Sequence, residues 1–243
     1  MTRLTIPTVQ HLARNWRDTP VKIEKVLVRL ADNPPIFNYN PIYPAIEDML
    51  IFGVPLAQVI EGIQRGTTRE KLANNYIEIL KLIHRHFEQI SPDFVNTVST
   101  RKYAIGRDIL VPFTPPLIYG MGGQIHFPWF SFWRSQPLAN ERLSLFVTMV
   151  YDLLRQDPDL DGAKFEILDM SAPKGGEPRE LKVIDTQTIP ILNDRTKLEM
   201  LDVFAQGFNA AKTSLAARSS KTTKKSSSEH DTRQQTFEDK WSS

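Results

Sequence analysis

The spacing of apolar residues changes near residue 98, and this change predicts the architecture. Before it, apolar positions recur every three or four residues, as between Ile23 and Leu30, which is typical of amphipathic helices. After it, the segments 102–113 and 124–133 alternate in polarity and are each predicted to form a strand. The order of predicted elements is a set of helices followed by β-β-α-β-β-α. This order indicates an α+β fold with a mixed or antiparallel sheet and two packed helices.

Residues with strong capping preferences mark where three helices begin. Thr19 followed by Pro20 is a helix start with an N-cap side chain. Thr67 and Glu70 have the spacing of a capping box before the longest predicted helix, which runs to about residue 90. Asn193 is expected to cap the last helix. A turn signal also stands out, since the adjacent glycines at 122–123 favour a hairpin.

The composition divides the chain into three parts. Residues 1–97 are predicted to form a helical region and residues 98–216 an α+β domain. Residues 217–243 are mostly Ser, Thr, Lys and Gln, with almost no apolar residue. Such a segment cannot bury enough apolar surface to offset the entropy of ordering. We therefore predict a disordered, basic and polar C-terminal tail.

The net charge is small, but it is unevenly distributed. The 243 residues include 30 Lys and Arg against 28 Asp and Glu, a formal charge of +2 that belongs entirely to the tail. Residues 101–150 hold five basic and two acidic residues, whereas 151–200 hold seven basic and eleven acidic ones. A local basic segment is therefore better evidence for an anionic partner than the total charge.

Several functional classes are excluded or disfavoured. The chain has no Cys, which excludes disulfides, thiolate zinc sites and cysteine nucleophiles. The N-terminal segment lacks the apolar core of a secretion signal, and no stretch approaches 18 uncharged apolar residues. We expect a soluble, cytoplasmic protein without a membrane partner.

One pattern of acidic and basic residues suggests a catalytic site. Asp169 is followed eleven residues later by Glu180 and then Lys182, on two predicted strands of one hairpin. A turn centred just after Lys174 would pair Asp169 with Glu180 and place all three on one face. This arrangement resembles the core of the PD-(D/E)xK nucleases. The resemblance implies that the two carboxylates bind Mg²⁺, that Lys182 orients the attacking water, and that Glu141 contributes from the preceding helix. The alternative is a structural cross-strand ion pair.

A second acidic pattern suggests a weak metal site. Asp157, Asp159 and Asp161 alternate before Gly162, as in the first half of an EF-hand calcium loop. The twelfth position, which requires a bidentate Glu, is Leu168. The alternative is a polar turn between a helix and a strand.

An aromatic and basic segment suggests a binding surface. Trp129 and Trp133 lie in a run of aromatic residues that ends at Arg134, within the most basic part of the body. Aromatic rings beside basic groups can stack on bases, although one face of this strand must belong to the core. Basic residues of the tail would add nonspecific attraction for nucleic acid or acidic partners: Lys221, Lys224 and Lys225.

Two short predicted helices, at 45–52 and 55–65, meet at Gly53 as in a helix-turn-helix, with Phe52 and Val54 expected in the core. An ordinary helical corner is the favoured interpretation, since Glu61 on the second helix would repel phosphates. Taken together, the patterns favour a non-enzymatic intracellular binding module that needs no cofactor and acts on a protein or nucleic-acid partner. The alternative is a Mg²⁺-dependent nuclease that uses Asp169, Glu180 and Lys182.

Overall fold

The α+β class is confirmed by a computed structural model. The structure describes the chain except for residues 1–3, 36–37, 136, 174–176 and 239–243, and it describes side chains as far as residue 218. Within the described part the helices are α1 (Val9–Asn15), α2 (Pro20–Asp32), α3 (Ile42–Leu50), α4 (Leu56–Gly66), α5 (Glu70–Ile90), α6 (Glu141–Leu154) and α7 (Asp194–Glu238). The strands are β1 (Phe94–Asn96), β2 (Arg101–Ala104), β3 (Leu110–Phe113), β4 (Ile118–Met121), β5 (Gln124–Ser131), β6 (Lys164–Asp169) and β7 (Lys182–Asp185).

The main sheet is mixed. Its five strands lie in the order β1-β4-β5-β6-β7, and β2 and β3 form a separate hairpin. Only β5 and β6 are parallel, and α6 connects them, while the other neighbours are antiparallel. Because parallel strands end at the same edge of a sheet, the chain leaves β5 and β6 side by side, at Ser131 and Asp169.

Alternating side chains of the sheet contribute to two cores. Phe127 and Ile167 face one core, which also contains residues of α1, α2, α6 and α7. Phe130 and Leu168 face the other core, which contains residues of α3, α4 and α5. Helices from the first 97 residues therefore cover both faces of the sheet. The proposed boundary near residue 97 stays a prediction.

Two segments differ from the predicted strands. The segment 102–113 forms the β2–β3 hairpin instead of one strand, because its central residues Gly106, Arg107 and Asp108 all have positive φ. A chain with three successive residues in the left-handed region cannot stay extended. Only residues 182–185 of the last predicted strand are extended, and a 3-10 turn at Thr186–Thr188 follows them.

The turn predicted at the glycines is confirmed, and it lies between two strands. Gly122 and Gly123 have φ of 59° and 77°, and Met121 pairs with Gln124 across them. Positive φ at both central residues matches the twist of a two-residue hairpin. The residues just before the turn, which the sequence assigned to a loop, form β4.

The predicted helix caps are partly confirmed. Thr19 Oγ1 accepts a hydrogen bond from the Lys22 backbone N–H at 3.4 Å, and Asn193 Oδ1 accepts one from Thr196 at 2.9 Å. The capping box before α5 is wrong, since this helix begins at Glu70 without a side-chain cap. A capping box at Thr67 and Glu70 requires the helix to begin at residue 68, whereas Thr67 is the C-cap residue of α4 and Arg69 is the N-cap residue of α5.

Two apolar residues expected in the core are exposed. Phe52 is 71% exposed and Leu198 is 62% exposed. Phe52 follows the end of α3 at Leu50 and lies in the connection to α4, and Leu198 is near the start of α7. Residues 217–243 are predicted to be disordered. The side chains of residues 219–243 within this segment lie outside the described part. Among the described residues, no helix is long and apolar enough to span a membrane.

Candidate functional site

A recess of about 440 Å³ opens beyond the end of β5. Helix α1 forms one wall, the loop before α3 forms a second, and the residues that follow β5 form the floor. Its lining combines aromatic rings, amides and cations: Gln10, His11, Arg14, Pro35, Asn38, Tyr39, Asn40, Tyr43, Trp129, Phe130, Phe132, Trp133, Arg134 and Ser135. We call this the aromatic recess. The chain leaves the sheet here, which is where α/β sheets often bind ligands.

A second recess of about 800 Å³ lies between α1 and α2. It shares His11, Arg14 and Pro35 with the aromatic recess, so the two recesses adjoin at these residues. Arg17 and Arg29 line the second part. We call the whole feature the basic groove.

The basic groove carries positive charge that no carboxylate of the described chain neutralises. No Asp or Glu is found among the described residues that line its two parts. Arg14, Arg17, Arg29 and Arg134 form no ion pair with a described carboxylate, and neither does Arg142 nearby. Most other described arginines do have acidic partners. Unpaired arginines along one concave surface produce a local positive potential that attracts anions.

Two side chains of α1, Arg14 and His11, are held next to Trp133. The guanidinium of Arg14 lies 5.0 Å from the Trp133 ring centre, within the range of a cation–π contact. The His11 ring meets the same indole edge-on at 5.7 Å. The side chain of His11 is exposed, yet the groove walls lower its pKa by desolvating the charged form, and Arg14 lowers the pKa further by repulsion.

A buried arginine supports the wall of the aromatic recess. The side chain of Arg179 donates to the carbonyls of Phe132 and Met170 at 3.0 and 2.6 Å, and to the Tyr39 hydroxyl at 3.2 Å. It also donates to Asn75 Oδ1 of α5 at 3.0 and 3.2 Å. One side chain therefore links the ends of β5 and β6, helix α5 and the loop that carries Tyr39.

The structure separates the residues of the predicted binding surface. Trp129 is almost fully buried and packs against Phe146 with ring centres 4.7 Å apart, so it mainly belongs to the core. Trp133 is half-buried and Arg134 is exposed, and both line the aromatic recess. The tail residues of that surface lie outside the described side chains: Lys221, Lys224 and Lys225.

The register of the predicted nuclease hairpin differs from the expected one. Asp169 lies opposite Lys182 instead of Glu180, and the Glu180 N–H bonds to the Ser171 carbonyl at 3.2 Å. The predicted pairing is wrong by two residues: Arg179 is buried and donates to the Met170 carbonyl, and Lys182 lies opposite Asp169. The centre of the predicted turn, at 174–175, lies outside the described residues. The shift keeps all three residues on one face by alternation.

The three residues nevertheless have different surroundings. The carboxylate of Asp169 is buried, accepts a bond from Ser171 Oγ at 2.8 Å, and leaves Oδ1 without a hydrogen bond in the described chain. Glu180 and Lys182 are exposed and lie 3.7 Å apart. Glu141 is in the first turn of α6, where it lines another recess. The nuclease hypothesis stays a prediction.

The aspartate loop has protein partners. Asp157 accepts a hydrogen bond from Arg101, which lowers the pKa of Asp157, and its Oδ1 also accepts the Asp159 N–H at 3.1 Å. Asp161 follows in the same turn. In the described part of the chain, no three His, Asp or Glu side chains are arranged to hold a metal ion. The calcium hypothesis for these residues stays untested.

A buried polar cluster lies between the sheet and α5, away from the groove. The Tyr119 hydroxyl donates to Glu166 Oε1, and His126 Nδ1 lies 3.5 Å from Glu166 Oε2. The rings of Tyr119 and His126 stack at 4.7 Å. Burial and the adjacent carboxylate raise the pKa of Tyr119. These residues are buried in the core, and we assign them a structural role.

Sequence patterns missed most of the groove. His11 and Arg14 lie three residues apart on α1, and Arg17 follows just after this helix, a spacing that could have marked a basic surface. Nothing in the sequence connects that face with Tyr39, Tyr43 or the end of β5. The chain as a whole matches no known protein-family model and no curated protein.

Proposed function

We propose that the protein is an intracellular binding module for nucleic acid, and that the basic groove holds the phosphate backbone. The supporting observation is the set of groove arginines without acidic partners in the described chain. Arginine is the residue best suited to bind phosphate, since its planar guanidinium stays charged and can donate two parallel hydrogen bonds. A protein surface with paired arginines would gain much less from an anion.

The groove also has the shape that such a partner requires. Its two parts adjoin at His11 and Arg14, so a strand laid across both would pass cations from Arg134 to Arg29. About five phosphate contacts would make the affinity fall by about a hundredfold between roughly 50 and 200 mM salt. The tail lysines 221, 224 and 225 would add attraction that does not depend on sequence.

Fluorescence anisotropy with a labelled oligonucleotide of about 20 nucleotides tests the proposal. The double variant Arg29→Ala/Arg134→Ala removes two groove cations. We expect it to bind about tenfold more weakly, with a salt slope smaller by about 1.4. The control Arg85→Ala/Arg195→Ala removes two exposed cations outside the groove lining and should bind like the wild type. Equal losses in the two variants would refute the groove as the binding site.

A further inference from the structure

The aromatic recess differs from the rest of the basic groove in its chemistry. Phe132 lies at its base, with the Tyr39 ring 5.4 Å away and the Tyr43 ring 5.5 Å away, both inclined to Phe132. Trp133 continues this aromatic lining towards Arg14. A surface that bound phosphate alone would need only cations. Tyr39 and Tyr43 are partly buried against the core around Phe132, and the surface that they leave in the recess suits a ligand with a flat, apolar face.

Polar groups that can read the edge of such a ligand also line the recess. Gln10 Oε1 is buried and has no hydrogen-bond partner in the described chain. Asn38 and Asn40 lie across from it on the loop before α3. An unpaired buried oxygen is costly until a donor reaches it. A nucleobase offers both a stacking face and donors along its edge.

The recess is concave, and this restricts the form of nucleic acid. In a duplex the bases are stacked and paired inside, so their faces cannot reach rings at the bottom of a recess. Unpaired bases can turn outward and stack on aromatic side chains while the backbone follows nearby cations. Arg14 and Arg134 line the same recess as the rings and are placed to hold the flanking phosphates.

We propose, building on the function above, that the aromatic recess takes one unpaired nucleobase, so that the partner is single-stranded nucleic acid. A volume of about 440 Å³ is in the range of pockets that enclose a small molecule. The rings hold the base, the amides contact its edge, and the arginines bind the backbone on either side. DNA and RNA strands share this chemistry and differ at the 2′-hydroxyl.

The test compares four probes of equal length on the full chain: single-stranded DNA, the same RNA sequence, the DNA duplex, and a strand whose central nucleotides are abasic. We expect the base-bearing strands to bind about tenfold more tightly than the duplex and the abasic strand. Tyr43→Leu should lose this preference, and Tyr43→Phe, which keeps the ring, should retain it. Thermal melting checks that both variants fold.

The outcomes separate this inference from the proposed function. If the wild type binds the abasic strand or the duplex as tightly as the base-bearing strand, the base recess is refuted while nucleic-acid binding stands. If no probe binds at low salt, both proposals are refuted. If the wild type binds RNA and DNA strands with different affinities and binds the abasic strand weakly, the inference is supported. The tighter-binding strand then identifies the type of nucleic acid that the protein prefers. This wild-type comparison holds even if Tyr43→Leu does not fold.

Discussion

The substitution Gly207→Ala, which adds one methyl group, should push helices α2 and α7 apart. Gly207 lies in α7 where this helix crosses α2. A Cβ atom there would lie 2.6 Å from Ile23 Cβ and 2.7 Å from both Ile23 Cγ2 and the Pro20 carbonyl oxygen. Carbon atoms prefer separations of about 3.5–4.0 Å. Ile23 is fully buried and branched at Cβ, and the Pro20 oxygen is backbone, so neither can move aside by a simple rotation.

The magnitude follows from two opposing effects. Overpacking a dense core costs about 1–3 kcal/mol. Alanine gains about 1 kcal/mol over glycine inside a helix. We therefore expect Gly207→Ala to lower the free energy of unfolding by up to about 2 kcal/mol, and by about 1–3 kcal/mol relative to an uncrowded Gly→Ala change. Gly62 is the matched control, because it lies inside α4 with no atom within 4 Å of an added Cβ. Gly62→Ala should raise the free energy of unfolding by about 0.5–1 kcal/mol.

Urea unfolding followed by circular dichroism measures both variants against the wild type. Opposite changes in midpoint at an unchanged m-value are expected. If Gly207→Ala gains as much stability as Gly62→Ala, the close approach of α2 and α7 is refuted. Because α2 lines the basic groove at Arg29, Gly207→Ala should also weaken oligonucleotide binding.

Four further outcomes are expected. Arg179→Met should lower the free energy of unfolding by about 3 kcal/mol or more in urea titrations, since it leaves buried acceptors unpaired; an unchanged midpoint would contradict this. Burial raises the pKa of Tyr43 to about 12, so the folded state favours the neutral phenol. The stabilisation from the neutral phenol is fully present below a pH of about 10 and is lost as the pH rises towards 12. Urea midpoints across this range should fall less in Tyr43→Phe than in the wild type. Oligonucleotide affinity should rise as the pH falls through the lowered pKa of His11, and His11→Gln should remove that dependence in anisotropy titrations. If the nuclease hypothesis holds, Mg²⁺-dependent DNA cleavage on gels is lost in Asp169→Ala and kept in Asp161→Ala. Cleavage that survives in Asp169→Ala rules the nuclease hypothesis out.

The sequence by itself determined the local structure. Apolar spacing predicted α2 and α5 because a helix repeats its inward face every 3.6 residues. Thr19 and Asn193 marked helix starts because their side chains bond the free N–H groups of the first turn. Gly122 and Gly123 marked the hairpin because they reach positive φ without strain. Each of these signals depends on residues within a few positions of one another.

Only the tertiary structure decided which distant residues meet. The contact between Arg14 and Trp133 joins parts of the chain that carry no shared pattern, and it creates the groove. The burial of Arg179 set the register that places Asp169 opposite Lys182. Whether an arginine has an acidic partner likewise depends on which residues lie near it in space. A chain with nearly equal numbers of acidic and basic residues can therefore still have a groove lined by arginines without acidic partners. The near-zero total charge gave no sign of that groove, because Coulomb interactions depend on distance in space and not on position in the sequence.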